Sequence, residues 1–357
     1  MSDIPGKVGF GALAPLGNPG AGEKIGMNHG AGGRAMRRLI EEVFLPGFAA
    51  PEGGVGLPQM DDGAVLPLGD GRFLVLTTDS HVIQPIFFPG GDIGRLSICG
   101  TVNDLAMMGG TEVLGLTSAI ILEEGFPRAD LETILASMQE ACREAGASIV
   151  TGDTKVMGHG ELDRIVLNTA GTAITDRYVT DRGLLPGDLL IVTGTIGDHG
   201  LAVLARREGL ELEGDLRSDV APLNGLVRLA LRAGEVVAMK DPTRGGLASA
   251  LHEMAVKSGV GILLEEAAVP RSAAVRAASE LLGIDPLHVA NEGKAVIGVR
   301  PEAAGKVLAA LKSHPLGRDA AIVGRAIAEH RGSLLLDTGF GLRLVAEPEG
   351  EPLPRIC

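Results

Sequence analysis

"RFLVLTTDSHVIQPIFFPGGDIGRLSICGTVNDLAMMG", residues 72–109, contains a change of hydrophobic period that sets the fold class. Phe73 to Thr78 is a run of large apolar and β-branched residues closed by Asp79, and it reads as a strand. From about Ile93 the pattern reads as a helix, apolar except where Asn103 and Asp104 interrupt it. The alternation continues downstream. "EVLGLTSAIIL" is a strand, and "PRADLETILASMQEACREAG" is a helix with Pro127 near its start. "SIVTGDT" and "RIVLNTAGTAI" are further strands. This β-α-β-α-β order predicts an α/β unit.

Upstream, a helix follows the glycines of "HGAGG" at 29–33, with Met36, Leu39, Ile40 and Val43 on one face. Residues 1–27 are rich in Gly and Pro, show no period, and read as a flexible leader. Downstream, a second α/β unit starts near "LLPGDLLIVTG". Its strands are Leu189 to Thr193, Gly261 to Glu265, Lys294 to Val299, Ala320 to Val323 and Leu334 to Asp337. Helices such as "TRGGLASALHEMAVKSG" and "AAGKVLAALKSH" lie between them. The polar and turn residues of 175–187 mark the boundary. The expected organisation is a leader (1–27), an N-terminal domain (28–178), a C-terminal domain (179–346) and a mobile C-terminal tail (347–357). The tail, "EPEGEPLPRIC", has three prolines and no apolar period, so it predicts an extended arm ending in Cys357.

The chain has 357 residues, 45% hydrophobic, with no Trp and one Tyr, so two cores of mainly aliphatic side chains are expected. A net charge of -13 argues against a basic nucleic-acid surface but not against a phosphate ligand held through Mg²⁺. Cys99, Cys142 and Cys357 are too widely spaced for a zinc site or a CxxC pair. The first two lie in predicted helices and read as small buried hydrophobes. No stretch approaches the ~20 apolar residues of a membrane span. The first 35 residues lack the apolar core of a secretory signal. A reducing cytoplasm is the expected location.

Acidic residues stand at the ends of apolar strands, where ligands of α/β folds bind. Asp79 ends "VLTTD", Asp153 ends "IVTGD", and Asp61 and Asp62 precede "GAVLPL". Together with Asn103 and Asp104 they form an oxygen-rich set suited to Mg²⁺ shared with phosphate. Singly, each also serves as a turn or cap residue. "HGAGG", "DPTRGG" (241–246) and "ANEGK" (290–294) are glycine loops able to offer N–H groups to phosphate, although none matches a P-loop or a GxGxxG fingerprint. Lys155 follows Asp153 in "GDTKV", and Glu292 precedes a strand. One suits neutralisation of a developing anion and the other a base, and both also suit solvated loops. The eight histidines show no ligand spacing.

These motifs, in this order and ending in "LPRIC", resemble the HypE family of hydrogenase maturation proteins, the carbamoyl dehydratases. The resemblance runs from about His29 to Cys357. The wider aminoimidazole ribonucleotide synthetase-like (PurM-like) superfamily shares the acidic loops but not the tail. The resemblance implies a two-domain α/β (α+β) fold of that type, acting as a homodimer whose N-terminal sheets join into a barrel, with ATP sites near the interface. It implies that a carbamoyltransferase, HypF, loads the C-terminal thiol, and that ATP-dependent dehydration then gives a thiocyanate. The cyano group passes to iron on a HypC–HypD complex for [NiFe]-hydrogenase. Carried over by motif, Asp62, Asp79, Asn103, Asp104, Asp153, Thr154, Gly245 and Gly246 would bind ATP, with Asp62, Asp79 and Asp153 on Mg²⁺. Cys357, Lys155 and Glu292 would be catalytic, with Glu292 the base. A superfamily kinase or synthetase with an incidental terminal cysteine, and a non-catalytic thiol carrier, are the alternatives.

Overall fold

The computed structural model describes residues 24–30, 32–210, 215–347 and 355–357. The N-terminal domain starts with α1 (Gly33–Leu39), which runs into a π turn at Ile40–Phe44. There follow β1 (Ala64–Gly69), β2 (Arg72–His81), the short strands β3 (Phe87–Phe88) and β4 (Gly91–Asp92), and α2 (Ile93–Met107). The domain continues with β5 (Val113–Glu123), α3 (Arg128–Ala145), β6 (Ile149–Met157) and β7 (Ile165–Thr175). The leader at 1–23 lies outside the described residues, as do 348–354 of the expected tail.

The five-stranded sheet has the order β1-β2-β7-β5-β6. Only β5 and β6, joined through α3, run parallel, and the other neighbours are antiparallel. The sheet is therefore mixed, because β7 returns from β6 on a short connection that cannot make a crossover. Asp92 caps α2 by accepting the Arg95 N–H at 2.9 Å. This helix is buried on nearly every side because it lies between the sheet, α3 and the second domain, which explains its lack of a polar face.

The C-terminal domain contains β8 (Leu189–Val192), α4 (Asp198–Arg207), α5 (Asn224–Ala233), β9 (Val236–Lys240), α6 (Gly246–Ser258) and β10 (Gly261–Glu265). It continues through α7 (Ala273–Leu282), β11 (Val296–Val299), α8 (Pro301–Lys312), β12 (Ala321–Ile327), β13 (Leu334–Asp337) and β14 (Leu342–Val345). Its seven-stranded sheet has the order β14-β13-β10-β12-β8-β11-β9. Strands β10 and β13 match the sequence boundaries, whereas β9 was not anticipated.

The two domains share apolar packing. One buried cluster runs from Leu96, Val102 and Met138 through Leu201 and Val275 to Ile356. A second joins Met107 of α2 to Leu226 and Val227 of α5. The cleft between the domains is thus built on a continuous core. Cys99 and Cys142 are buried within it, as the sequence predicts.

Candidate active site

A cavity of about 350 Å³ lies in this cleft. Its N-terminal wall is the end of β2. Strand alternation sends Thr77, Asp79 and His81 to one face, and these three border the cavity together with Thr78 and Ser80. Gly100 of α2 faces them. A Cβ there would stand 3.0 Å from the His81 ring and 3.1 Å from Asp79 Oδ2, so the missing side chain leaves room for both. Asp104, one turn on, accepts from the Thr77 hydroxyl at 2.9 Å.

The C-terminal wall is the end of β9 and the loop after it, Lys240 to Arg244, with α6 and Glu292. Lys240 Nζ is surrounded by carboxylates. Asp62 Oδ1 lies at 2.7 Å, Glu253 Oε2 at 3.2 Å and Asp181 Oδ2 at 3.5 Å. Lys257 closes the network on Asp181 at 2.5 Å. Arg244 reaches the Gly30 carbonyl at 3.2 Å and ties the glycine loop before α1 to this wall. Gly32 and Gly33, both at positive φ, border the cavity.

Burial dominates the electrostatics. It raises the Asp62 carboxyl, against the pull of Lys240. It raises Asp104 well above the usual range, helped by Asp241, Asp79 and Asp62. Asp241 is pushed up to about 8 by burial and by Asp62, and Asp181 to about 6 mainly by burial. Glu292 is raised well above the usual range by burial, then by Asp241, Asp79 and Asp219. Burial would also raise Glu253, but Lys240, Lys257 and Arg37 outweigh it and hold it low. His81 is lowered by burial, which outweighs the attraction of Asp79 at 3.3 Å.

The cavity is therefore richer in carboxylates than in cations. Asp62 Oδ2 and Glu292 Oε1 are buried with no hydrogen-bond partner among the described residues. No preassembled group of three metal ligands occurs among the described residues.

Cys357 borders the same cavity, so the chain's own end enters the site. Of the acidic and catalytic candidates singled out in the sequence, Asp61, Asp62, Asp79, Asp104, Glu292 and Cys357 meet here. Asn103 lies behind the wall. Its amide donates to the Ala221 and Glu292 carbonyls at 3.1 and 3.2 Å, and its oxygen accepts the Leu223 N–H at 2.7 Å, so it fixes the Glu292 loop. Gly245 and Gly246 open α6 in left-handed conformations but do not border the cavity. A Cβ on Gly246 would stand 2.6 Å from the Val289 carbonyl, so this glycine permits close packing.

Asp153, Thr154 and Lys155 lie on β6, whose residues are all exposed, at the far edge of the sheet. Asp153 and Lys155 pair at 2.9 Å. Three strand spacings, roughly 14 Å, separate them from β2, beyond the reach of a side chain. Sequence reasoning missed Lys240, Glu253, Asp181 and Lys257. A lysine closing the apolar run "VVAM" just before "DPTRGG" was the available signal for the first.

Residues 60–175 match the family described as AIR synthase related protein, N-terminal domain, and residues 186–337 its C-terminal domain. A carbamoyl dehydratase HypE of Cupriavidus necator is 47% identical over 99% of this chain and 100% of its own length. A HypE in a crystal structure of a HypE–HypF complex superposes with a TM-score of 0.81 at 46% identity, covering 87% of this chain and 99% of that one. A HypE crystallised in complex with ATP gives 0.77 at 41% identity, covering 93% and 99%.

Proposed function

The chain belongs to the HypE family of AIR synthase-related proteins, and on that premise we propose that it is the carbamoyl dehydratase of hydrogenase maturation, acting on its own C-terminal cysteine. The observation that carries this reading is that Cys357 and Glu292 border one cavity with Asp62, Asp79 and Asp104. Substrate and catalyst then belong to one chain.

The reaction turns S-carbamoyl Cys357 into a thiocyanate. The C=O oxygen leaves, two N–H protons are lost, and the C≡N bond forms. Amide oxygen is a poor leaving group. ATP, when bound, supplies the phosphoryl group that lets it depart as phosphate, with Mg²⁺ offsetting the charge. The orphaned Asp62 Oδ2 and the neighbouring Asp79 are the residues suited to hold the cation. Lys240 fixes Asp62 through its other oxygen. Glu292 takes one of the two N–H protons, and the departing phosphate carries the other. Burial and the neighbouring acids raise the Glu292 pKa, so it accepts a proton only once ionised, the form that Arg244 favours.

The active form is a homodimer. Strand β6 lies at an open sheet edge and exposes Val150 and Val156, a row that a second copy would cover. Asp153, Thr154 and Lys155 of one copy would then serve the cavity of the other, Asp153 as a further oxygen donor for the cation and Lys155 as a positive charge for the tail. HypF is the carbamoyl donor's carrier and partner, in keeping with the relative solved in that complex. A HypC–HypD complex is the acceptor of the cyano group. No helix of the described residues is long and apolar enough to cross a membrane, and the site of action is the cytoplasm.

The test is ATP turnover by the full chain before and after carbamoylation. The reading requires a single round of ATP hydrolysis that depends on the carbamoyl group and disappears in Cys357→Ala. Turnover independent of Cys357 would indicate a free-substrate kinase instead.

A further inference from the structure

The last three residues are held far more firmly than a chain end usually is. Ile356 is 1% exposed and belongs to the apolar cluster shared by both domains. Its carbonyl receives a hydrogen bond from His199 Nε2 at 2.8 Å. The Arg355 carbonyl accepts from Arg207 Nη2 at 2.7 Å and from the Gln84 N–H at 3.3 Å. Arg207 Nε also donates to the Gln84 carbonyl at 2.9 Å, so one guanidinium clamps the tail against the segment after β2. The Arg355 guanidinium pairs with Asp163.

The partners of His199 fix its protons. The Ile356 carbonyl can only accept, so Nε2 carries the hydrogen. Ser218 Oγ already accepts the Val220 N–H at 3.1 Å. Its own O–H is therefore left to donate to His199 Nδ1 at 2.8 Å. Burial lowers the imidazole pKa and keeps the ring neutral, as this pattern requires. Phe88 meets the ring edge-on, with centroids 5.4 Å apart. The next residue, Asp219, accepts the Glu292 N–H at 3.0 Å. A Cβ on Gly293 would stand 1.8 Å from the Asp219 carbonyl, so these two backbones are in close apposition. Ser218 and Asp219 thus hold the tail-binding histidine and the Glu292 loop in one register.

We propose that His199 is the positioning residue of the C-terminal tail, seating Cys357 for the ATP-dependent step through the Ile356 carbonyl, with Arg207 securing the tail from the rim. Neither touches a reacting atom. The receptor reads three main-chain oxygens, the Val82 N–H reaching that of Cys357 at 3.5 Å, and one penultimate apolar side chain. Its ligand class is an extended C-terminal tripeptide ending in a thiol. The proposal rests on the dehydratase reading for its purpose, but docking can be measured without that chemistry.

The test uses the full chain and iodoacetamide, with the labelled cysteine located by mass. His199→Leu and Arg207→Ala each raise the rate of Cys357 alkylation about tenfold, the effect of one lost hydrogen bond. Cys99 and Cys142 stay protected. His199→Gln, which keeps an N–H donor, recovers most of the protection. On pre-carbamoylated chain, His199→Leu slows single-turnover loss of water by a similar factor, while loading by the transferase and affinity for Mg²⁺–ATP do not fall. Wild-type alkylation rates in both His199→Leu and Arg207→Ala would overturn the proposal. Should His199→Leu also expose Cys99 or Cys142, it has unfolded, and the rim variant alone decides, wild-type labelling in it being the contrary result. If labelling changes as stated but the wild-type chain never loses water with ATP, the docking role stands and the dehydratase reading falls.

Discussion

Glu292 illustrates how burial creates a base. A carboxyl on an exposed loop would be ionised at neutral pH and weakly basic, but here burial and three neighbouring acids raise it. Glu292→Gln keeps the shape and removes the proton acceptor. It should lower the rate of water loss about 10²–10⁴-fold while leaving transferase loading of Cys357 intact, measured by intact mass against time. Lys240 makes the converse case, a buried cation whose loss strands Asp62 and leaves Asp181 to Lys257 and Glu253 to Arg37. Lys240→Met should cost about 3–5 kcal/mol in urea unfolding at pH 8. The cost should shrink toward pH 6, because Asp181, pushed up to about 6, can then protonate. At this scale the sequence named Asp62, Asp79 and Asp104, which border the cavity, but also Asp153, which lies on the far edge of the sheet, because an Asp at a strand end serves equally as a turn or cap residue. Lys240 was not legible, because its partners Asp62 and Asp181 are distant in sequence, and neither was Glu253, whose cationic neighbours are Lys240 and Arg37. The polar inner role of Asn103 was equally hidden, its three partners lying more than a hundred residues away.

Elements with a strong period were found where the sequence placed them. Strands β10 and β13, and helices α2 and α3, needed only their own residues to declare themselves. Strand β9 did not, since five residues at the sheet edge carry too little pattern to separate from the helix before it. The mixed direction of the N-terminal sheet was likewise out of reach of the element order alone. Strand β6 is the element most in need of a partner. Val156→Asp should leave the monomer folded, because that side chain is exposed, and should shift sedimentation from dimer to monomer. An unchanged sedimentation coefficient would remove β6 from the interface. Gly246 tests a different feature, the join between β9 and α6. At φ 63°, with Val289 O only 2.6 Å from the position of a Cβ, Gly246→Ala should destabilise by about 1–3 kcal/mol. Thermal unfolding would show it.

For the whole molecule, the cleft stores a pH dependence. Asp241 has a folded pKa of about 8, above the ~3.9 of an unfolded chain. The folded state therefore binds the proton more tightly. The stability this contributes is complete below the unfolded value and is lost as pH rises through about 8. Ligand-free protein should lose several degrees of thermal stability between about pH 6 and 9. Mg²⁺–ATP should restore most at the alkaline end and release protons on binding, visible as a calorimetric heat that varies with buffer ionisation enthalpy. A flat stability profile would mean that Asp241 is not protonated in the empty site.

The central claim is that one chain is both catalyst and substrate, with the thiol of Cys357 as the reacting group. It is tested most directly by intact mass of the purified chain, first after incubation with its carbamoyl-loading partner and then after Mg²⁺–ATP. The account predicts that the chain gains one carbamoyl group at Cys357, then loses one water only when ATP is present, and that Cys357→Ala shows neither step. A carbamoyl adduct that persists unchanged with ATP, or one that forms on the Cys357→Ala chain, would contradict it.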